Sequence, residues 1–401
     1  MLPAAARRWR RYRRAVTIAL RRVTADDWAT WRPVRLAALT DAPEAFGSRL
    51  ADWQDAPEDR WRGRLSLPGA VDLLAVEHDR SPEQAPERTP EPAPGRPVGM
   101  ATGVPSAEDP AVAELISMWV APEARGRGLA RTLIDAVARA MAEHGAARLE
   151  LSVMPDNHRA RRIYERAGFT LTDTPGDELP DGRHELVMVR GLAAERTLLA
   201  YERGADRYAE RTDDHRAGLV DDLLALVPAG SHVLELGSGP GRDADALEAA
   251  GLRVDRTDGA AAFVDRLRAA GHDARLLDVR DDDGPRDAGG VLTLWGGPYD
   301  AVFANAVLLH VDRDDTGPVL DRACRAVRPG GVLAATVKRG DGDGWSDRKL
   351  DDPRWFTYWT EDALAAVVTA AGWRGVTVRE TTRPGADERW LTVTAHRPEE
   401  D

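Results

Sequence analysis

Hydrophobic and polar positions follow two different rhythms along this chain. Up to about residue 192, period-two runs alternate with period-3.6 stripes. "VTIALRRV" reads as a strand. In "TADDWATWRPVRLAAL", Trp28, Trp31, Arg35 and Leu39 fall on one helical face, and Thr24 is placed to cap that helix with Asp26 and Asp27 in its first turn. "VDLLAVEH", "VGMATGVP" and "AELISMWV" continue as strands. A helix then puts Leu129, Leu133, Val137 and Met141 on one stripe. "ARLELSVM" alternates Leu149, Leu151 and Val153 against Glu150 and Ser152, so one face is buried. A short helix capped by Asn157 stops at Gly168, and "HELVMVRGL" closes the stretch. Beyond it, short apolar runs are separated by helical patterns: "HVLELG", "LRVDRTD", "ARLLDV", "YDAVFAN", "GVLAATV", "GVTVRE" and "WLTVTA". Seven strands with mostly helical crossovers predict a doubly wound α/β sheet, its last two strands forming an antiparallel pair. "LAAERTLLAYERGADRYAERT" reads as helix joining the two halves.

Two segments break the rhythm. Residues 1–15 carry six arginines and no acid, a basic flexible arm without the apolar core of a signal peptide. Residues 79–97 hold six prolines among charged residues, a composition that cannot bury enough surface to order itself. This reads as a disordered insertion between paired strands. The expected domains are 16–192 and 193–401.

Composition narrows the function classes. With 43% hydrophobic and 30% charged residues, the 401-residue chain suits globular domains with cores, and no apolar run reaches membrane-spanning length. A formal net charge of −12 argues against nucleic acid as a partner. The single cysteine, Cys324, forms no internal disulfide and no thiolate cluster, which suits a reducing, cytoplasmic location; no metal ligand spacing is evident among the nine histidines.

Candidate chemistry begins where "ELISMWV" ends at Val120 and a helix starts near Leu129. Arg125, Gly126, Arg127 and Gly128 lie between. Glycines let backbone approach a ligand, arginines add charge-assisted hydrogen bonds, and unpaired N–H groups of a first helical turn favour an anion. An ordinary connection with solvated arginines is the alternative. Arg125-x-x-Gly128-x-Ala130, followed by Asn157-x-x-Ala160-x-x-x-Tyr164-x-x-x-Gly168-Phe169, resembles the Gcn5-related N-acetyltransferase (GNAT) family over residues 16–192. The resemblance implies a mixed sheet with helices, and acetyl-CoA with its pyrophosphate on the backbone of Arg125 to Ala130 and its pantetheine arm along the strand ending at Val120. It assigns Tyr164 as general acid toward the leaving thiolate. Glu114, at the start of the same strand, is the candidate base for the acceptor amine, and a solvated strand-end carboxylate is the alternative.

A second constellation, Glu235-x-Gly237-Ser238-Gly239-x-Gly241, follows a strand and enters a helix. Arg242 stands where a nicotinamide-binding fingerprint needs glycine. The pattern resembles motif I of class I S-adenosylmethionine (SAM)-dependent methyltransferases, over residues 200–397. The resemblance implies a Rossmann-like sheet, Asp258 on the ribose hydroxyls, Asp278 at the adenine and Asn305 beside the methionine moiety. His310 is a candidate base toward the methyl acceptor, or a local cap. The aromatic-rich Lys338–Thr360 connection is expected either to wall the acceptor pocket, through Trp345 or Trp355, or to cover the sheet edge. Together these features point to a bifunctional transferase acting on a small-molecule or peptide amine and on a methyl acceptor, with no membrane partner. The alternative is one active unit with the other serving as a cofactor-sensing or structural module.

Overall fold

The computed structural model describes residues 16–79, 95–211, 218–281, 295–348, 350–382 and 388–399. The chain divides into two compact units, Met1–Leu192 and Ala193–Asp401. The expected basic arm, residues 1–15, lies outside the described residues, as do residues 80–94 of the proline-rich stretch. The flanks of that stretch belong to strands: Asp79 ends one, and Arg96 and Pro97 open the next.

The first unit runs β1 (Val16–Val23), α1 (Trp28–Asp41), α2 (Glu58–Arg64), β2 (Val71–Asp79), β3 (Arg96–Pro105), β4 (Val112–Val120), α3 (Leu129–Glu143), β5 (Arg148–Val153), α4 (His158–Arg166), β6 (Thr170–Glu178) and β7 (His184–Gly191). The expected Thr24 cap closes a 3-10 turn ahead of α1, with Asp27 returning a 3.0 Å hydrogen bond from the Thr24 N–H. The sheet order is β1-β2-β3-β4-β5-β7-β6. Neighbours are antiparallel except β4 and β5, which are parallel. The apolar stripe of α3 packs on β3, where Gly99 and Gly103 leave room: a Cβ there would meet Leu133 at 3.1 Å and Val137 at 2.8 Å.

Two irregularities in β4 shape its far end. Its parallel ladder to β5 covers only Val112–Glu114 against Arg148–Glu150, and beyond Glu114 the strands part. Its ladder to β3 shifts register between Met100 and Thr102, where Ser117 takes a φ of 56°. Arg35 and Arg64 donate to the Ser117 Oγ at 3.3 and 3.1 Å, and Arg64 also reaches buried Asp72 at 3.1 Å. This network holds the bulge in a conformation that a serine rarely adopts.

The second unit runs α5 (Ala193–Arg211), α6 (Gly218–Leu224), β8 (His232–Glu235), α7 (Arg242–Ala249), β9 (Arg253–Asp258), α8 (Ala261–Ala269), β10 (Ala274–Leu276), β11 (Tyr299–Asn305), α9 (Arg313–Ala326), β12 (Val327–Lys338), β13 (Asp343–Ser346), β14 (Arg354–Thr357), α10 (Glu361–Ala370), β15 (Arg374–Thr382) and β16 (Arg389–His396). Its sheet order is β10-β9-β8-β11-β12-β16-β15. β16 inserts antiparallel between β12 and β15, so the expected last pair is present and the final strand is the inner one. The order reverses between β8 and β11, leaving a crevice at their carboxyl ends. Cys324 lies on α9 within the apolar core, away from that crevice.

Candidate functional site

In the first unit the site gathers at the end of β4. Gly126 and Gly128 both hold positive φ, 76° and 79°, and no atom lies within 4 Å of where a Cβ would stand on either. Gly128 is the N-cap of α3 and offers no side-chain cap, so the first-turn amides of that helix receive no acceptor from it. This is a cradle that side chains would fill, and it fits a phosphate-bearing group.

The arginines do something other than the expected anion contact. Arg125 donates to the Val120 carbonyl at 2.9 Å and pairs with Asp41 at the end of α1; Asp41 also accepts from the Trp119 indole at 2.9 Å. That indole and Arg125 hold the Asp41 carboxyl below the usual carboxylate range. Arg127 pairs with Glu77 of β2 at 2.7 Å. Both guanidinium groups thus brace the loop against protein carboxylates, and the backbone is left facing the open side.

Glu114 is exposed and occupies the last paired position of β4 against β5, at the apex of the wedge. Val120, at the other end of β4, has its carbonyl held by Arg125. Asn157 caps α4 through a 3.1 Å bond from the Ala160 N–H. Tyr164, on α4, meets Phe169 edge to face at 5.8 Å, and burial pushes its phenol up to about 12. It therefore carries its proton at neutral pH.

In the second unit, the crevice opens as a pocket at the strand ends. Gly237, Gly239, Asp258, Asp278, Asn305 and His310 all line it. The three glycines of the motif differ in what they face. A Cβ on Gly237 would meet Val307 at 2.4 Å and one on Gly241 would meet Leu267 at 2.7 Å, whereas Gly239 faces open space. Ser238 and Glu235 are buried beside the loop, and burial pushes the Glu235 carboxyl up to about 8. Asp258 accepts the Gly239 and Ala260 N–H groups, each at 2.8 Å, and burial raises its carboxyl to about 6. Asn305 donates to Asp243 and accepts from Thr336, both at 2.7 Å, so its amide is fixed at both ends.

Two expected residues are more committed than their spacing suggested. Asp278 lies two residues past β10 and takes Arg280 in a two-point contact at 3.1 and 2.7 Å; Arg280 also reaches buried Glu195 of α5 at 3.0 Å. His310 has its Nδ1 2.6 Å from the Trp355 carbonyl oxygen, an acceptor only, so the ring proton sits on Nδ1. Its Nε2 accepts from the Tyr201 hydroxyl at 2.8 Å, and burial pulls the imidazole down to about 3. It is neutral at physiological pH, and its lone pair faces Tyr201 rather than the open cavity.

Part of the lining was missed. Helix α5, read as a joint between halves, contributes Thr197, Leu198, Tyr201 and Tyr208 to the cavity. Glu202 on the same helix caps α8 through the Ala261 and Ala262 N–H groups at 2.8 and 2.9 Å. Tyr201, Tyr208 and Phe263 form a ring cluster with centroid separations of 5.4 to 6.2 Å, Tyr208 meeting both others edge to face. The signal was the recurrence of tyrosine seven residues apart on an amphipathic helix. The Lys338–Thr360 connection folds as the hairpin β13–β14. Phe356 and Trp359 join the core, while Trp345 is 41% exposed. No hairpin side chain appears among the cavity-lining residues, which corrects the expected pocket wall of Trp345 or Trp355. Trp355 acts through its backbone, its N–H on Thr197 at 2.9 Å and its carbonyl on His310.

An aspartate among backbone amides, an aromatic wall and an open glycine turn fit a nucleoside with a cationic neighbour. Comparison with known proteins agrees with the two-part architecture. Residues 39–169 match the Acetyltransferase (GNAT) family and residues 234–333 the Methyltransferase domain family. Mycothiol acetyltransferase of Renibacterium salmoninarum is 29% identical over 157 residues, 39% of this chain and 41% of that protein. L-2,4-diaminobutyric acid acetyltransferase of Streptomyces coelicolor is 38% identical over 99 residues, 22% of this chain and 57% of that protein. This chain therefore spans less than two thirds of the curated relatives' lengths. A solved methyltransferase of Burkholderia thailandensis, acting at N1 of 1,6-didemethyltoxoflavin and bound to S-adenosylhomocysteine, is 21% identical, covers 58% of this chain and 95% of its own, and has a TM-score of 0.40.

Proposed function

We propose, for a chain that carries a GNAT acetyltransferase domain followed by a SAM-dependent methyltransferase domain, a bifunctional transferase. It moves an acetyl group from acetyl-CoA to an amine and a methyl group from SAM to a second acceptor. The boundary we assign falls at 192/193. The observation that carries this reading is the presence in each unit of an open, glycine-lined helix entrance beside a strand end, each with its own acid or phenol in place.

In the first unit, acetyl-CoA would supply an acyl group activated as a thioester. The amides from Arg125 to Ala130 bind its pyrophosphate, and Val120 and the unpaired edge of β4 hold the pantetheine arm. Asn157 sets the start of α4 and so the position of Tyr164. Tyr164 keeps its proton until the thiolate departs and then donates it; Glu114 takes the proton of the amine, directly or through water. In the second unit, SAM would supply a methyl already activated by the sulfonium charge, so alignment does most of what catalysis requires. Gly237, Ser238, Gly239 and Gly241 shape the turn that receives it, with neutral Glu235 packed beneath. Asp258 accepts the ribose hydroxyls, Asp278 meets the adenine edge, Asn305 holds the methionine end, and the tyrosine cluster faces the cation. His310 positions Tyr201 toward the acceptor. The relatives named for mycothiol and diaminobutyrate acetylation support a small amine as acetyl acceptor. The lone buried Cys324 suits the reducing cytoplasm, and no helix among the described residues is long and apolar enough to cross a membrane.

The test is calorimetry of the full chain with each cofactor, followed by incubation of cell extract with protein and labelled acetyl-CoA or SAM. Both cofactors should bind independently and both labels should appear in new products. Binding of one cofactor with no transfer of its label would leave that unit a sensing module. Tyr164→Phe should lower acetyl transfer about a hundredfold or more at unchanged acetyl-CoA affinity, the range expected of a lost general acid.

A further inference from the structure

Arg354, at the start of β14, is 3% exposed, yet its guanidinium has no carboxylate partner among the described residues. Its Nη1 donates to the Tyr201 hydroxyl at 3.0 Å, and its buried Nε has no hydrogen-bond partner among the described residues. The remaining contacts are ring faces, Tyr201 and Phe356, each with its centroid 5.3 Å from Cζ. The surroundings add positive charge. Lys338 Nζ stands 3.9 Å from the centroid of the same Phe356 ring, and the carboxylate it pairs with, Glu388, also takes Arg348. A buried cation without a counter-ion is among the costliest arrangements a fold can hold, because desolvation is not offset by a pair. An anionic ligand would supply the missing charge.

The place is informative as well as the charge. Tyr201 and His310 line the cavity, and Arg354 stands just behind that lining, bonded to the Tyr201 oxygen. Gly237, Gly239 and Asp258, which are proposed to receive the nucleoside, line the same cavity. A carboxylate or phosphate matches the planar, multi-donor edge of a guanidinium, and the ring of Tyr201, which lines the cavity, favours a flat apolar body beside it.

We infer that the methyl acceptor of the second unit carries an oxyanion, carboxylate or phosphate, that pairs with Arg354 at the Tyr201–His310 edge of the cavity. The inference rests on the methyltransferase reading of that unit and adds the acceptor's chemical class to it.

The test uses the full chain saturated with S-adenosylhomocysteine, so that the cofactor's own carboxylate is already present. Benzoate, phenyl phosphate and the neutral isostere benzamide are titrated in turn, by calorimetry and by melting temperature. At least one anion should bind and raise the melting temperature while benzamide does neither. Arg354→Gln should weaken that anion about tenfold or more, as expected for a lost charge-assisted bidentate contact, and leave S-adenosylhomocysteine affinity unchanged. Which of the two anions binds tells carboxylate from phosphate. Equal binding of all three probes, no binding of any, or anion binding untouched by Arg354→Gln overturns the inference. A tenfold loss of S-adenosylhomocysteine affinity in the variant also overturns it, because the missing anion is then the cofactor's own. Should Arg354→Gln fail to fold, the comparison of anion with benzamide on the unaltered chain still decides. If S-adenosylhomocysteine and SAM both fail to bind, the methyltransferase reading fails instead, and titrating the anions into the free chain still decides whether Arg354 recognises one.

Discussion

Gly128 shows how much one residue can separate the two activities. With φ at 79° and open space before it, glutamate there would put a side chain and a negative charge into the cradle. Gly128→Glu should abolish acetyl-CoA binding and leave SAM affinity unchanged. Gly128→Ala adds only the strain of a left-handed alanine, about 1 kcal/mol, so it should cost far less affinity. Unaltered acetyl-CoA affinity in the glutamate variant would remove the cradle from the mechanism. Asp258 gives a second measurement at this scale. Burial raises its carboxyl from 3.8 to about 6, so between those values the fold holds a proton that the unfolded chain has released. Its protonation favours the fold, and that contribution falls as pH rises through about 6. Ribose hydroxyls donate to the ionised form, so SAM affinity should move the opposite way, strengthening as pH rises through about 6. Asp258→Asn should flatten that profile; a SAM affinity independent of pH in the parent chain would disprove the contact.

The elements carry the next set of consequences. Helix α5 belongs to the cavity through Tyr201 and Tyr208 and to α8 through Glu202. Residues 193–401 should therefore fold and bind SAM, whereas residues 212–401 should lose SAM affinity by at least about tenfold, since an aromatic wall facing a desolvated cation contributes upward of about 2 kcal/mol. Equal affinity of the two would detach α5 from the site. In the hairpin, Trp359→Ala should destabilise by about 3–5 kcal/mol and exposed Trp345→Ala by far less, read as melting temperature. These elements also mark what could be read in advance. The α3 stripe, the β5 alternation and the apolar runs of the second sheet were legible, because local period reports which face is buried. The β4–β5 parting was not, since it depends on which strand lies beside which. Nor were the partners of Arg125 and Arg127: Asp41 and Glu77 are distant in sequence, and no local pattern links them. The hairpin's aromatics suggested a pocket because composition shows only that they are apolar, and packing decides whether they face ligand or core.

At the scale of the molecule, the two units can be addressed one cofactor at a time. Residues 1–192 and 193–401, made separately, should each bind only the cofactor proposed for it, measured by calorimetry against the full chain. An insoluble second piece would show that its core needs more than its own residues. The short ladder of β4 has a consequence for how such binding can be watched. Only Val112–Glu114 is tied to β5, so amides of Leu115–Val120 that point toward the wedge have no strand to donate to. In deuterated solvent these amides should exchange quickly in the free protein and slowly once a pantetheine arm lies along them. Acetyl-CoA would thus leave an isotopic footprint on one strand edge, legible in a mass spectrum before any acetyl acceptor has been identified.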